Sequence, residues 1–293
     1  PRVLLPFALV TLIWGSTWLV IKDQISAVPA GWSVVWRFML AAAARLVFAL
    51  LKGERLRLTA REQAVAVAMG LFQFSLNFQL IYRSEHYLTS GLVAVVFALM
   101  ILPNAVLARI VLGNRMSAQF AAGSAIALAG IGLLILHEYR IAPVGDGVTT
   151  GVMLVICAIL SVSVGNLLQA TETARGVPVV PLMGWGMLWG VLASALYASE
   201  SVGVPVLDPR PEYLAGVAYL GLVGSALTFP LYSQLIRDWG PGPAAYNGVA
   251  VPVVAMALST VFEGYDWSVL AGGGAMLAMV GMLIALSGRK TGS

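Results

Sequence analysis

Residues 28–40 read VPAGWSVVWRFML, and residues 177–189 read VPVVPLMGWGMLW. Set side by side at an offset of 149, Pro29 falls on Pro178 and Trp36 on Trp185. At the same offset Pro103 falls on Pro252. At 151, Gly70, Gly91 and Gly130 fall on Gly221, Gly242 and Gly281. Each match is weak alone, but their colinear order is not. The chain reads as two copies of one half.

Composition says what surrounds those copies. Of 293 residues, 59% are hydrophobic and only 10% charged, and the mean hydropathy is +0.89. A soluble domain carries roughly 25% charged residues. There is too little charge here to clothe a water-facing surface, so lipid must be the solvent for much of it. A run of about 20 apolar residues is long enough to cross a bilayer. Ten such runs are expected, at 3–22, 32–51, 62–82, 88–111, 117–136, 150–171, 179–199, 212–234, 241–262 and 268–287. Stretches such as AVAVAMGLF (64–72) lack the alternation of polar and apolar residues that marks a membrane β-barrel.

Five runs in each copy is an odd number, so the second copy enters the membrane from the opposite side. The expected fold is therefore an all-α integral membrane protein. Ten transmembrane helices form two five-helix inverted repeats around a central cavity, a recurring plan among transporters. The repeats span 1–137 and 150–293, joined by a periplasmic loop at 138–149.

Basic residues orient the chain. With the N-terminus inside, eleven Lys and Arg fall on the cytoplasmic side and four outside, with Arg37 and Arg45 within the second run. This excess places both termini in the cytoplasm. It also accounts for the net charge of +4 without any nucleic-acid partner. Cys157 is the only cysteine, and His86 and His137 stand apart near run ends. Neither a disulfide nor a metal site is expected, and no cofactor.

The paired halves carry LIWGST (12–17), Arg37-Phe38, Pro103 followed by Leu112-Gly113, and LAGIGLLIL (128–136). Over essentially its whole length the chain resembles the EamA domains of the drug/metabolite transporter superfamily. Within that superfamily it looks like a bacterial aromatic amino-acid exporter, which implies residence in the inner membrane. One departure stands out. Many members have Leu-Gly-Glu after the fourth helix, where this chain has Leu112-Gly113-Asn114, and the second copy reads Phe262-Glu263-Gly264. The change bears on capping at a helix junction more than on transport.

Candidate binding residues follow from polar groups inside apolar runs. Arg37 has Gly186 as its repeat mate. A charge that breaks the internal symmetry suits a substrate carboxylate, for which a guanidinium's planar fork is fitted. Snorkelling or a structural hydrogen bond is the alternative. On the third helix, Gln73 and Asn77 share one face, with Ser75, Gln79 and Tyr82 nearly opposite. The repeat pairs Asn77 with Thr228, so the expected cavity face is Gln73 and Asn77 with Ser225, Thr228 and Tyr232. Interhelical hydrogen bonding is the competing role. Asn166, Tyr246 and Asn247 join this set. Trp14, Trp185 and Trp189 lie too deep for an interfacial belt and offer faces for an aromatic ring. Pro103 and Pro252 are expected hinges, or static bends that shape the path.

All thirteen acids fall in loops or at run ends. Intramembrane carboxylates are the usual proton relays, so facilitated export of aromatic or other apolar amino acids is the leading expectation. A broad-specificity drug or metabolite exporter with proton coupling is the runner-up. No nucleophile–base pair at a recognisable spacing suggests an enzyme. Ten helices can enclose a path in one chain, so a monomer is expected.

Overall fold

The computed structural model describes residues 3–113, 116–141, 147–239 and 244–287, and those residues contain helices and no strand. The long helices are α1 (Leu4–Ala27), α2 (Ala30–Leu51), α3 (Ala60–Ser84), α4 (Ser90–Val111), α5 (Ala118–Ile141), α6 (Val148–Gln169), α7 (Val179–Ser201), α8 (Pro211–Tyr232), α9 (Asn247–Phe262) and α10 (Val269–Ser287). Nine of them are long and apolar enough to cross a membrane. The ninth expected run, 241–262, appears as the 16-residue α9, with residues 240–243 of WGPGP outside the described set. A single turn at Glu172–Arg175 precedes α7.

The sequence punctuates these helices clearly. Thr59 opens α3 with a capping box, its side chain accepting from the Glu62 N–H while the Glu62 carboxylate takes the Thr59 N–H. Pro29 and Pro178 stand immediately before α2 and α7, where the missing N–H costs no hydrogen bond. Gly113 ends the fourth helix in the left-handed conformation, at φ 70°.

Contacts gather the chain into two units, each drawing on both sequence halves. One comprises Pro1–Leu19, Ser84–Ile156 and Pro230–Ser293; the other comprises Val20–Arg83 and Cys157–Phe229.

In the first unit, α5 and α10 meet backbone to backbone along stripes of small residues. A Cβ on Gly130 would lie 2.3 Å from Ala278 N and 2.6 Å from Gly274 O. One on Gly123 would lie 2.6 Å from Gly281 O. Because Gly123 and Gly130 map onto Gly274 and Gly281 at the offset of 151, the contact Gly123–Gly281 is repeated as Gly274–Gly130. Gly15 of IWGSTW seats α1 on α9, with Val254 2.6 Å from where its Cβ would be. Trp18 packs edge-on to Phe97 at 5.3 Å.

The Glu263 carboxylate, at the end of α9, reaches the start of α4. Both its oxygens accept from the Ser90 N–H at 3.1 Å, and one also accepts from the Ser90 hydroxyl. The Glu of the second-copy Phe-Glu-Gly therefore caps another helix and places its charge at the positive end of that helix dipole. Asn114, at the first-copy position, lies outside the described residues.

In the second unit, α7 packs on α2 and on α3, and α8 packs on α2. Gly70 on α3 meets Gly186 O and Gly190 N of α7, where a Cβ would come within 2.8 Å of both. Gly221 on α8 meets Arg37 O and Leu40 of α2 in the corresponding way. Two tryptophans that are repeat mates anchor loops. The Trp36 indole donates to Val206 O at 2.8 Å, and the Trp185 indole donates to Leu56 O at 2.9 Å. The Val206 loop continues to Asp208, whose carboxyl is held below the usual carboxylate range by hydrogen bonds from the Arg210 side chain and backbone.

Two outcomes test this packing. Gly130→Val should lower the thermal unfolding temperature in detergent, because overpacking costs about 1–3 kcal/mol, whereas Gly132→Ala, with open space around it, should be tolerated. Glu263→Ala should cost about 1 kcal/mol, the usual loss of a helix cap, read in the same melt.

Candidate functional site

Helix α2 carries two arginines eight residues apart, close to two full turns, so both project from one face. Both are buried, Arg37 to 4% and Arg45 to 3% exposure. They converge on one residue of α8. Arg37 donates from Nε and Nη2 to Ser225 Oγ, each at 3.3 Å. Arg45 donates from Nη2 to the Ser225 carbonyl at 3.4 Å. The Arg37 guanidinium also donates to Tyr82 Oη at 3.5 Å and lies 4.6 Å from the Phe78 ring centroid. Arg45 lies 5.7 Å from Phe229, and its Nε has no acceptor. Among the described residues no carboxylate forms an ion pair with either group.

The backbone explains why Ser225 can serve both. Residues Tyr219–Leu227 of α8 form a π-helix, as do Gly70–Leu76 of α3. These segments occupy repeat-related positions. A π-turn bonds residue i to i−5 and leaves carbonyls short of their α-helical donors. The Ser225 and Thr228 hydroxyls accordingly donate five residues back, to Leu220 O and Val223 O. Pro230 has no N–H to offer the carbonyls of Ser225 and Ala226. Arg45 supplies a donor to the first of them.

On α3, the Gln73 side-chain oxygen accepts from Gln169 of α6 at 2.9 Å. Asn77 donates to Gln73 O at 3.3 Å, while its Oδ1 accepts nothing although the residue is only 2% exposed. Asn166 is half-buried on α6. Ser75 and Gln79 face neighbouring helices, accepting from Ser194 and donating to Gly31 O respectively. The Trp189 indole donates to Gln63 at 2.9 Å, so with Trp185 it ties α7 to the start of α3.

The remaining sequence candidates lie in the other unit. Trp14 and Tyr232 pack with centroids 5.2 Å apart. Asn247 accepts from the Thr11 hydroxyl at 3.3 Å and donates to Phe7 O at 3.4 Å. Tyr246 packs against the cluster of Ala127, Val249, Met282 and Leu286. Pro103 follows a 3₁₀ turn at Ala98–Met100, a local break where its ring removes a donor; Pro252 sits inside α9.

Sequence reasoning passed over Arg45, Tyr82 and Phe78. The eight-residue spacing of the arginines was the available signal for the first. Burial among the acids also exceeds expectation: Glu85 is fully buried, and Glu138 is buried because α5 runs on to Ile141 instead of stopping near 136. No cluster of metal-binding side chains occurs among the described residues.

With that geometry in place, the similarities can be read. The model of the EamA-like transporter family matches residues 2–136 and again 149–287. The chain belongs to this family and is a multi-pass membrane protein. It is 30% identical to the uncharacterized inner membrane transporter YedA of Escherichia coli K12, over 86% of this chain and 80% of that one. It is 23% identical to protein PagO of Salmonella typhimurium, over 88% and 84%. A probable amino-acid metabolite efflux pump of the same organism is 24% identical over 96% and 93%. A crystal structure superposes with a TM-score of 0.70 at 20% identity, covering 100% of this chain and 99% of the other, a likeness of fold alone.

The Ser225 hydroxyl is the acceptor for two Arg37 N–H groups. Ser225→Ala should therefore lower stability by about 1.5–3 kcal/mol, the worth of hydrogen bonds to a charged group, measured by thermal unfolding in detergent.

Proposed function

We propose that this chain exports aromatic or other apolar amino acids across a bacterial inner membrane by alternating access, without coupling to protons and without catalysis. It acts as a monomer with both termini in the cytoplasm and uses no cofactor. In this reading it is most like the aromatic amino-acid exporter YddG. The carrying observation is the buried guanidinium pair Arg37 and Arg45, which no carboxylate among the described residues neutralises. A charge inside a membrane is costly unless it has a task or a partner. A substrate carboxylate supplies both, through Arg's planar fork. The unpartnered Asn77 Oδ1 offers an acceptor suited to an ammonium group on the same substrate.

The ten helices are two inverted repeats, 1–137 and 150–293, joined by 138–149. Contacts exchange their partners under the repeat: Trp36 to Val206 against Trp185 to Leu56, and Gly70 to Gly186 against Gly221 to Arg37. This exchange supports the reading. Substrate-facing roles are assigned in the Ser225 unit to Arg37, Gln73, Asn77, Asn166, Trp185, Trp189, Ser225 and Thr228. In the other unit they go to Trp14, Tyr232, Tyr246 and Asn247, with Pro103 and Pro252 as hinges.

One observation favours a second reading. Arg37 already donates to Ser225 and Tyr82 and stacks on Phe78, as a structural arginine would. On that reading the chain is a broad drug or metabolite exporter whose substrates lack a carboxylate.

Flux into liposomes separates the two. Phe and Trp should move, a cationic dye should not, and a pH gradient should not concentrate Phe. Arg37→Met should cut Phe flux about tenfold or more, given about 1.5–3 kcal/mol for a charged hydrogen bond, while sparing phenethylamine. Equal losses make Arg37 structural, and dye flux without Phe flux overturns the amino-acid reading.

A further inference from the structure

A groove of about 530 Å³ runs between α3 and α7, within the unit that holds Ser225. Its walls are Leu71, Phe72, Leu76, Leu80, Ala193 and Leu196, and several of these are open to the surroundings, Leu76 at 46% and Leu196 at 64% exposure. Ser75 and Gln79 at its floor are both buried and turned to neighbouring helices. The walls above them are apolar, and Arg83 and Tyr197 stand at one end of the groove.

Arg83 sits one residue before the end of α3, at the water boundary of the span. Its guanidinium lies 4.7 Å from the Tyr197 ring centroid, and no carboxylate among the described residues forms an ion pair with it. The ring fixes one face of the guanidinium and leaves its edge, with the N–H fork, for a planar or tetrahedral anion. From Phe72 to Arg83 is eleven residues, about 16 Å along a helix at 1.5 Å per residue. That is close to half of the roughly 30 Å hydrocarbon core, the depth of one leaflet. Charge at the boundary and an apolar channel one leaflet deep match a single kind of molecule.

We propose that this groove holds one anionic glycerophospholipid, its phosphate on Arg83 and one acyl chain laid along Leu80, Leu76 and Phe72. The phosphate accepts charge-assisted hydrogen bonds from the guanidinium edge. The chain covers the π-helical stretch Gly70–Leu76, where α3 departs from regular packing. Lipid occupancy therefore bears on the stability of α3 against α7, independently of what is transported.

The test is native mass spectrometry of the full chain in detergent, titrated with phosphatidylglycerol. One lipid should be retained by the unaltered protein. Arg83→Gln should weaken binding about tenfold by removing charge-assisted bonds worth about 1.5–3 kcal/mol. Leu76→Trp, which fills the groove and leaves Arg83 intact, should weaken it as well. Equal retention by all three proteins overturns the site. Loss in Arg83→Gln alone overturns the groove as the seat of the chain. Inorganic phosphate binding as tightly as the lipid makes this an anion site instead, and a dimer closed through this face makes it a protein interface; either result overturns the proposal.

Discussion

Close approach of helix backbones is the constraint on which this structure rests. In lipid, apolar side chains have no hydrophobic reason to leave their surroundings for one another, so helices associate by van der Waals packing and need small residues to do so. Gly123, Gly130, Gly274 and Gly281 meet across α5 and α10 with no room for a Cβ. Gly70 and Gly190 do the same for α3 and α7, Gly221 for α8 on α2, and Gly15 for α1 on α9. Leu, Val and Phe remain free to face lipid, which is why so many large apolar side chains are exposed.

Once helices are this close, their polar groups must be satisfied by one another. The π-turns of α3 and α8 loosen the i−4 ladder at the place where α7 and α2 press in. Hydroxyls of Ser225 and Thr228 fold back on their own backbone, and guanidiniums from α2 take up Ser225. The same logic governs the helix ends. Glu263 serves the N-terminus of α4 from the end of α9, and the indoles of Trp36 and Trp185 hold the loops that follow helices. A polar residue in this protein is placed by what its neighbours lack.

That division explains how much could be read in advance. The role of Glu263 was half legible: its motif position pointed to a helix junction, but not to which helix it caps. The stripes of α3 were assigned on a regular 3.6-residue period. By that count Tyr82 stands nearly opposite Gln73 and Asn77. Tyr82, four residues after Phe78 in the regular helix that follows the π-segment, reaches Arg37 together with it. Nothing local in GLFQFSL announces a π-turn, whose first residue, Gly70, meets Gly186 and Gly190 of a distant helix.

The opening stretch shows the same boundary. By itself the sequence determined the solvent, the apolar runs and the duplication, because composition and repetition are properties of the chain taken locally. It placed Trp36 and Trp185 in register as mates and singled out Arg37 as the charge without one. Only the tertiary structure decided that those indoles anchor loops and that Arg37 shares Ser225 with Arg45. Hydrogen-bond partners 129 or more residues away are chosen by helix packing, and that packing depends on backbone register that no single helix specifies alone.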